Sequence, residues 1–253
     1  MQLFRGDFLI YLYDGSFAGF LTSVYHAVSD KDKFPEIYPG DRYTELTFFE
    51  ISNINTDNTK ADMLLDYLEK KISKLFVYEL FLLYLSDVSS VGTLTVQYIR
   101  DGLKHGKNIH NYLHLTSANE VMRLKRKVLH ENHRLKGLLR FKKYDNLSIA
   151  DISPDHNVLP ILYRHFERRL PNENWIIRDK KRKVAVIHFD NKTDIAKYED
   201  TDGLPVNNDN YEKIWCAFYK SIAIKERMNL RQRLNYMPKR YWQNIIEMQD
   251  AIN

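Results

Sequence analysis

HRLKGLLRFKKYDNLSIADISPDHNVLPILYRHFERRLPNENWIIRDKKRKVAVI, residues 133–187, is the stretch whose reading decides the fold. Alternating apolar residues predict strands at Leu138–Lys142, Ser148–Ile152, Trp175–Arg178 and Lys183–Ile187. Turn-forming residues at 144–146 and 179–181 join them in pairs, and a short helix around Leu162 and Phe166 separates the pairs. The expected module is a central antiparallel sheet of two hairpins flanking a helix, and basic side chains crowd its turns.

Working outward, Phe8–Tyr13 reads as an N-terminal strand ending at Asp14-Gly15-Ser16. Phe17, Phe20, Leu21, Val24 and Val28 then recur at helical spacing, with Asp14 or Ser16 as N-cap. Residues 29–58 are polar and carry Pro35 and Pro39; they read as a surface excursion with one possible strand at Glu45–Ile51. Ala61–Ser86 reads as a single long helix whose apolar face includes Glu79 among its leucines. Further helices are expected at Thr93–His105, bounded by Gly92 and Gly106, and at Ser117–Leu135. Beyond the central stretch, Asp190–Asn210 reads as loop, Tyr211–Arg227 as a helix with an aromatic face of Trp215, Phe218, Tyr219 and Ile222, and the remainder as short helices broken before Pro238. The expected class is α+β, mainly helical, in one compact domain over residues 1–253. Its sub-regions are the strand and helices of 1–115, the basic helix and ββαββ module of 116–190, and the helices of 209–253.

Composition narrows the function classes. Hydrophobic residues make up 44% of the chain, enough for a packed core. No apolar run reaches the length a membrane span needs, and the apolar core near the N-terminus is too short for a signal peptide, so no membrane partner and a cytoplasmic location are expected. One cysteine, Cys216, excludes an intrachain disulfide and any multi-cysteine metal or iron–sulfur site built from this chain alone. Set between Trp215 and Ala217, it reads as a small buried hydrophobe. The net charge of +5 is unevenly placed: Arg123–Lys143 holds nine Lys or Arg against the single acid Glu131, whereas residues 1–70 hold twelve acids against six bases. That asymmetry points to a polyanion at the basic stretch and a different neighbour for the acidic one.

The basic ridge Arg123, Lys127, His130 and Arg134, at spacings of four, three and four, suits phosphates, with Glu131 alone offsetting the repulsion. Arg140, Arg164, Arg168, Arg169, Arg178 and Arg182 extend it, since a guanidinium fork grips phosphate at two points. Pairing with Asp151, Asp155, Glu167 and Asp179 is the competing use. The expected nucleic-acid set is Arg123, Lys127, His130, His133, Arg134, Arg140, Arg168, Arg169, Arg178, Lys181, Arg182 and Arg240, with Tyr144 or Trp242 stacking on a base. His130 and His133 lie one helical turn apart without a recognised ligand frame, so no metal is expected, nor any other cofactor. The candidates for acid–base chemistry are His165, Asp155 and Asp179; a hydrogen-bonded structural role is the alternative for His165. There is no GxSxG, no Walker-type glycine loop and no GxGxxG.

Five stretches carry a resemblance. They are YDGSFAGFLTSV at 13–24, HRLKGLLRF at 133–141, SPDHNVLPILYRHFERR at 153–169, WIIRDKKRKVAV at 175–186 and WCAFYKSIAIKERMNLRQRLNYMPKRYW at 215–242. In this order they resemble the bacterial "probable DNA metabolism protein" family of unknown function, whose domain also occurs fused to a uracil-DNA glycosylase domain. The resemblance implies a role in DNA modification or repair beside a radical S-adenosylmethionine protein, often encoded next to family members. That partner would bring the iron–sulfur cluster. Leu138 stands where the family commonly has Phe, and Arg178 where it commonly has His, so no essential histidine is expected at 178.

Overall fold

A computed structural model describes residues 9–30, 36–43, 49–89, 91–144, 146–198 and 237–245. It is an α+β structure in two compact units, Met1–Val128 and Leu129–Asn253.

The first unit is built on β1 (Leu9–Tyr13), the middle strand of a parallel sheet ordered β2-β1-β3. Its near-continuous apolar run LIYLY is what a covered parallel strand requires. Ser16 caps α1 (Phe17–Ser29) by accepting from the Gly19 amide at 2.9 Å, while Asp14 accepts from the Ser16 amide. The excursion expected at 29–58 supplies two strands, β2 (Glu36–Pro39), which was not expected, and β3 (Glu50–Asn53), which overlaps the end of the strand expected at Glu45–Ile51. As a central strand, β1 must have partners for its backbone groups on both edges, and pairing recruits segments too polar and short to signal themselves. Residues 45–48 of the strand expected at Glu45–Ile51 lie outside the described residues.

The helix expected over Ala61–Ser86 is two helices, α2 (Asn58–Lys71) and α3 (Lys74–Leu85). Ile72 leaves helical geometry and the Ser73 hydroxyl accepts from the Phe76 amide at 3.1 Å, starting α3 afresh. Ser73→Ala is expected to cost about 1 kcal/mol in a denaturant titration; an unchanged midpoint would mean that the cap does not hold this break. α4 (Val91–His105) starts before Gly92, which is no boundary. A Cβ at Gly92 would collide with Ile37 Cβ, so the glycine lets α4 approach β2. Gly106 ends the helix with φ +63.

Glu79, which shares the α3 face with leucines, is buried. Its carboxylate accepts from the Tyr98 hydroxyl at 2.7 Å and Lys125 Nζ at 2.9 Å, with His110 Nδ1 at 3.1 Å. Burial and the bond to Glu79 push the Tyr98 hydroxyl well above its ordinary pKa.

α5 (Thr116–Leu138) carries the division between the units. It runs through Gly137, and the Arg140 guanidinium donates to the Gly137 carbonyl at 2.8 Å at its end. The strand expected at Leu138–Lys142 is therefore displaced to β4 (Lys142–Tyr144). β5 (Leu147–Ile152), α6 (Leu159–Arg169), β6 (Asn174–Asp179) and β7 (Val184–Phe189) follow the expected order of hairpin, helix and hairpin. The sheet order is β4-β5-β6-β7-β8, antiparallel except that β5 and β6 run parallel. The α6 crossover imposes that direction, because a strand that returns through a helix re-enters the sheet from the same end. Leu159, Leu162 and Phe166 of α6 are buried, as are Ala150, Ile152, Trp175, Ile177 and Val186 of the sheet. His188 is buried with them, stacked on Trp175 at 4.8 Å.

β8 (Lys192–Lys197) lies in a segment expected to be loop. Asp190 and Asn191 both take left-handed φ, +47° and +61°, as a two-residue hairpin turn matching the sheet twist demands. Its sequence KTDIAK lacks a clean apolar alternation because it is an exposed edge strand. The helix expected at Tyr211–Arg227, with Cys216, lies outside the described residues. Of the C-terminal short helices, a single 3-10 turn at Lys239–Asn244 is described. No described helix is long and apolar enough to cross a membrane.

Candidate nucleic-acid interface

α6 turns its apolar side, Leu159, Leu162 and Phe166, into the core, which leaves Arg164, Arg168 and Arg169 exposed. His165 sits among them, half-buried, its ring edge-on to Phe166 at 5.0 Å. Partial burial lowers its pKa below the ordinary 6.5, and Lys136, Arg169 and Arg168 lower it further. The imidazole thus reports a positive field assembled from the end of α5 and the outer side of α6. Among the described residues none of Lys136, Arg164, Arg168 and Arg169 makes an ion pair. Two arginines in the last turn of a helix already gain a few tenths of a kcal/mol from its dipole. Three cations, Lys136, Arg168 and Arg169, act on one ring, more than that effect needs.

Other expected phosphate ligands are differently employed. Arg178 grips Asp151 at two points, Nε to Oδ1 at 2.6 Å and Nη2 to Oδ2 at 3.0 Å, directly across the β5–β6 pairing. That bond to Asp151 raises the guanidinium's pKa. Arg182 is buried, donating to Asp179 Oδ2 at 2.9 Å and to the Asp155 carbonyl at 2.7 Å. Asp179 is wholly buried, and its carboxylate also accepts from the Lys181 and Arg182 amides, so it holds the turn after β6. Lys181 Nζ lies 3.4 Å from the Asp155 carbonyl, and Arg140 closes α5. In the second unit His130 and His133 are exposed and Arg134 half-buried; in the first, Lys127 is exposed and Arg123 pairs with Glu120 at 2.9 Å. His165 makes no hydrogen bond to Asp155 or Asp179 among the described residues. Trp242 is buried and donates Nε1–H to the Met237 carbonyl at 2.8 Å, which removes it as a platform for base stacking; Tyr144 is half-buried.

Glu131 does not offset the basic ridge as expected. It is buried, and its carboxylate accepts from the Asp155 amide at 3.0 Å, the His156 amide at 2.8 Å and the Tyr241 hydroxyl. Arg240 completes the cluster, 3.1 Å from Asp155 Oδ2 and stacked over the Tyr241 ring at 4.7 Å. Burial and the bond to Glu131 raise the Tyr241 pKa. The cluster stands beyond the carboxyl ends of the parallel strands β5 and β6 and fastens the 153–158 loop to α5. Its one signal in the sequence is an isolated acid within a basic helix.

A family model described as a domain of unknown function, DUF4130, matches residues 89–247. The chain belongs to this family. The DUF4130 match opens just ahead of α4 and takes in α5, α6, the five-stranded sheet and the Glu131 cluster. No curated protein matches the chain.

Proposed function

We propose that the protein is a cytoplasmic DNA-binding accessory protein in DNA modification or repair, working beside a radical S-adenosylmethionine partner. The observation that carries the DNA contact is the group Lys136, Arg168 and Arg169 acting on His165, with Arg164 exposed on the same helix and none of the four in an ion pair among the described residues. Side chains without acidic partners keep their full charge for phosphate, and each phosphate neutralised releases counterion. The repair context and the partner rest on the resemblance of the five stretches. A chain with one cysteine would need that partner to bring the iron–sulfur cluster.

His165 tests the site. Its depressed pKa keeps the ring neutral near pH 7, and a phosphate placed beside it favours the protonated form. Binding should therefore take up a proton, and affinity should strengthen as pH falls from about 7.5 to about 5.5. In the free protein the sign is opposite for folding: the unfolded chain binds this proton more tightly, so stability declines as pH falls through the ordinary 6.5. An NMR titration of the His165 ring should give a midpoint below the ordinary value that rises on adding a short DNA duplex. A midpoint unmoved by DNA that binds elsewhere would remove this surface from the interface.

The same neutral imidazole favours a second reading, an enzyme acting on DNA with glycosylase- or nuclease-like chemistry centred on His165. Turnover of a damaged oligonucleotide that is lost in His165→Ala while binding persists would establish it. Absence of turnover with and without divalent metal supports the accessory role.

A further inference from the structure

Glu167 is the one acid in RHFERR, residues 164–169, and it makes no ion pair among the described residues. It stands one helical turn from Arg164, a spacing at which opposite charges attract. Its carboxylate turns instead to the sheet, where the Thr193 hydroxyl of β8 donates to Oε1 at 2.7 Å. Thr193 pairs across the strands with the buried His188, whose Nδ1 lies 2.7 Å from the same hydroxyl oxygen. The other ring nitrogen, Nε2, lies 2.9 Å from the Pro171 carbonyl.

The protons of this chain of bonds can be counted. The Pro171 carbonyl only accepts, so Nε2 carries a proton. A threonine hydroxyl has one proton, and here it goes to Glu167, so Nδ1 must donate as well and the ring is an imidazolium. The alternative places that extra proton on the Glu167 carboxyl and turns the hydroxyl toward Nδ1. In both arrangements the chain holds one proton more than a neutral ring and a carboxylate would, and its net charge is zero. Without it, two acceptors would face each other across 2.7 Å beside a buried ring, which desolvation penalises. The Trp175 ring stacked on His188 at 4.8 Å adds a face that favours a cation.

We infer that Thr193 is a positioning residue for the basic surface of α6: with His188 behind it, it holds the Glu167 carboxylate away from Arg164, Arg168 and Arg169 and cancels its charge, so that the arginines meet phosphate unopposed. The use of the arginines for phosphate rests on the DNA contact proposed above; the placement of Glu167 does not.

Thr193→Val keeps the shape of the side chain and its preference for a strand but removes the hydroxyl. Glu167 is then free to pair with Arg164, and its charge reaches the surface that depresses the His165 pKa. By NMR the His165 ring of Thr193→Val should titrate at higher pH than in the parent chain, and Thr193→Ser, or Glu167→Gln added to Thr193→Val, should bring the midpoint back. Glu167→Gln alone should leave that midpoint in place, because the amide can donate to the hydroxyl and the hydroxyl to a neutral ring. A midpoint that falls in Glu167→Gln would reveal an uncancelled carboxylate and overturn the inference even if Thr193→Val does not fold. With a short duplex, Thr193→Val should take about 0.9 from the salt slope, one phosphate's worth, and weaken binding about eightfold near 0.1 M salt. A His165 midpoint indifferent to Thr193→Val overturns the inference whatever DNA does, and so does a slope that falls with Arg168→Ala and Arg169→Ala but not with Thr193→Val. A midpoint that moves while neither set of changes alters the slope supports the placement of Glu167 and removes the DNA contact instead.

Discussion

Arg168→Ala with Arg169→Ala is expected to reduce the slope of log affinity against log salt by about 1.8 for duplex DNA and about 1.4 for single strands, two phosphates' worth. Near 0.1 M salt that corresponds to a loss on the order of 60-fold for duplex. Both side chains are exposed and neither makes an ion pair among the described residues, so the fold should lose only the few tenths of a kcal/mol that a helix dipole gives. Arg178→Ala is the informative contrast. Its guanidinium is committed to Asp151, so the change should lower stability and leave the salt slope where it was. Salt series from 50 to 200 mM, paired with thermal melts of each variant, separate the two behaviours. A double variant with an unaltered slope would move the phosphate contacts away from α6, and an Arg178 variant with a reduced one would bring the sheet into the interface.

Glu131→Ala should be the most damaging single substitution in the second unit, at about 3 to 5 kcal/mol. The buried carboxylate holds two backbone amides, the Tyr241 hydroxyl and one side of Arg240. Its removal leaves those donors desolvated and unpaired, which costs more than the bonds themselves contribute. Glu131→Gln keeps one acceptor oxygen and should lose less. Amide exchange at Asp155 and His156 is the local readout, since both protons lose their acceptor in the alanine variant. Slow exchange retained at both amides would show that the loop is held by something other than Glu131.

What could be read from the sequence was local. The strand, turn and helix at 9–29 announce themselves through an apolar run and a capping serine, and the turn after β6 through Asp179 and two lysines. The break at Ser73 was hidden because the apolar period runs on across it and only the hydroxyl's bond to Phe76 marks a new start. β2 and β8 were missed, and β3 was expected a few residues early, because they are strands by pairing: their side chains carry no clean alternation, and their partners lie elsewhere in the chain. At the candidate site, the basic character of α6 was legible from RHFERR. Which arginines stay unpaired was not, since the bond between Arg178 and Asp151 depends on strands 27 residues apart meeting in one register. Glu131 was misjudged for a related reason. A lone acid among bases suggests charge balance on a surface, and only the folded loop at 155–156 turns it inward.

The charged outer strands of the five-stranded sheet also govern how the protein can be cut. β4 begins Lys142-Lys143, and β8 carries Lys192, Asp194 and Lys197, so charged side chains guard both open edges. Inside β8 lies β7, VAVIHF, which is β-branched, aromatic and free of acidic or strongly basic side chains. A truncation ending at residue 190 would bare the backbone of that strand and offer it to other molecules as a template for cross-β stacking. Such a fragment should precipitate during expression, whereas one extended past Lys197 keeps its guard strand and has a far better chance of staying in solution.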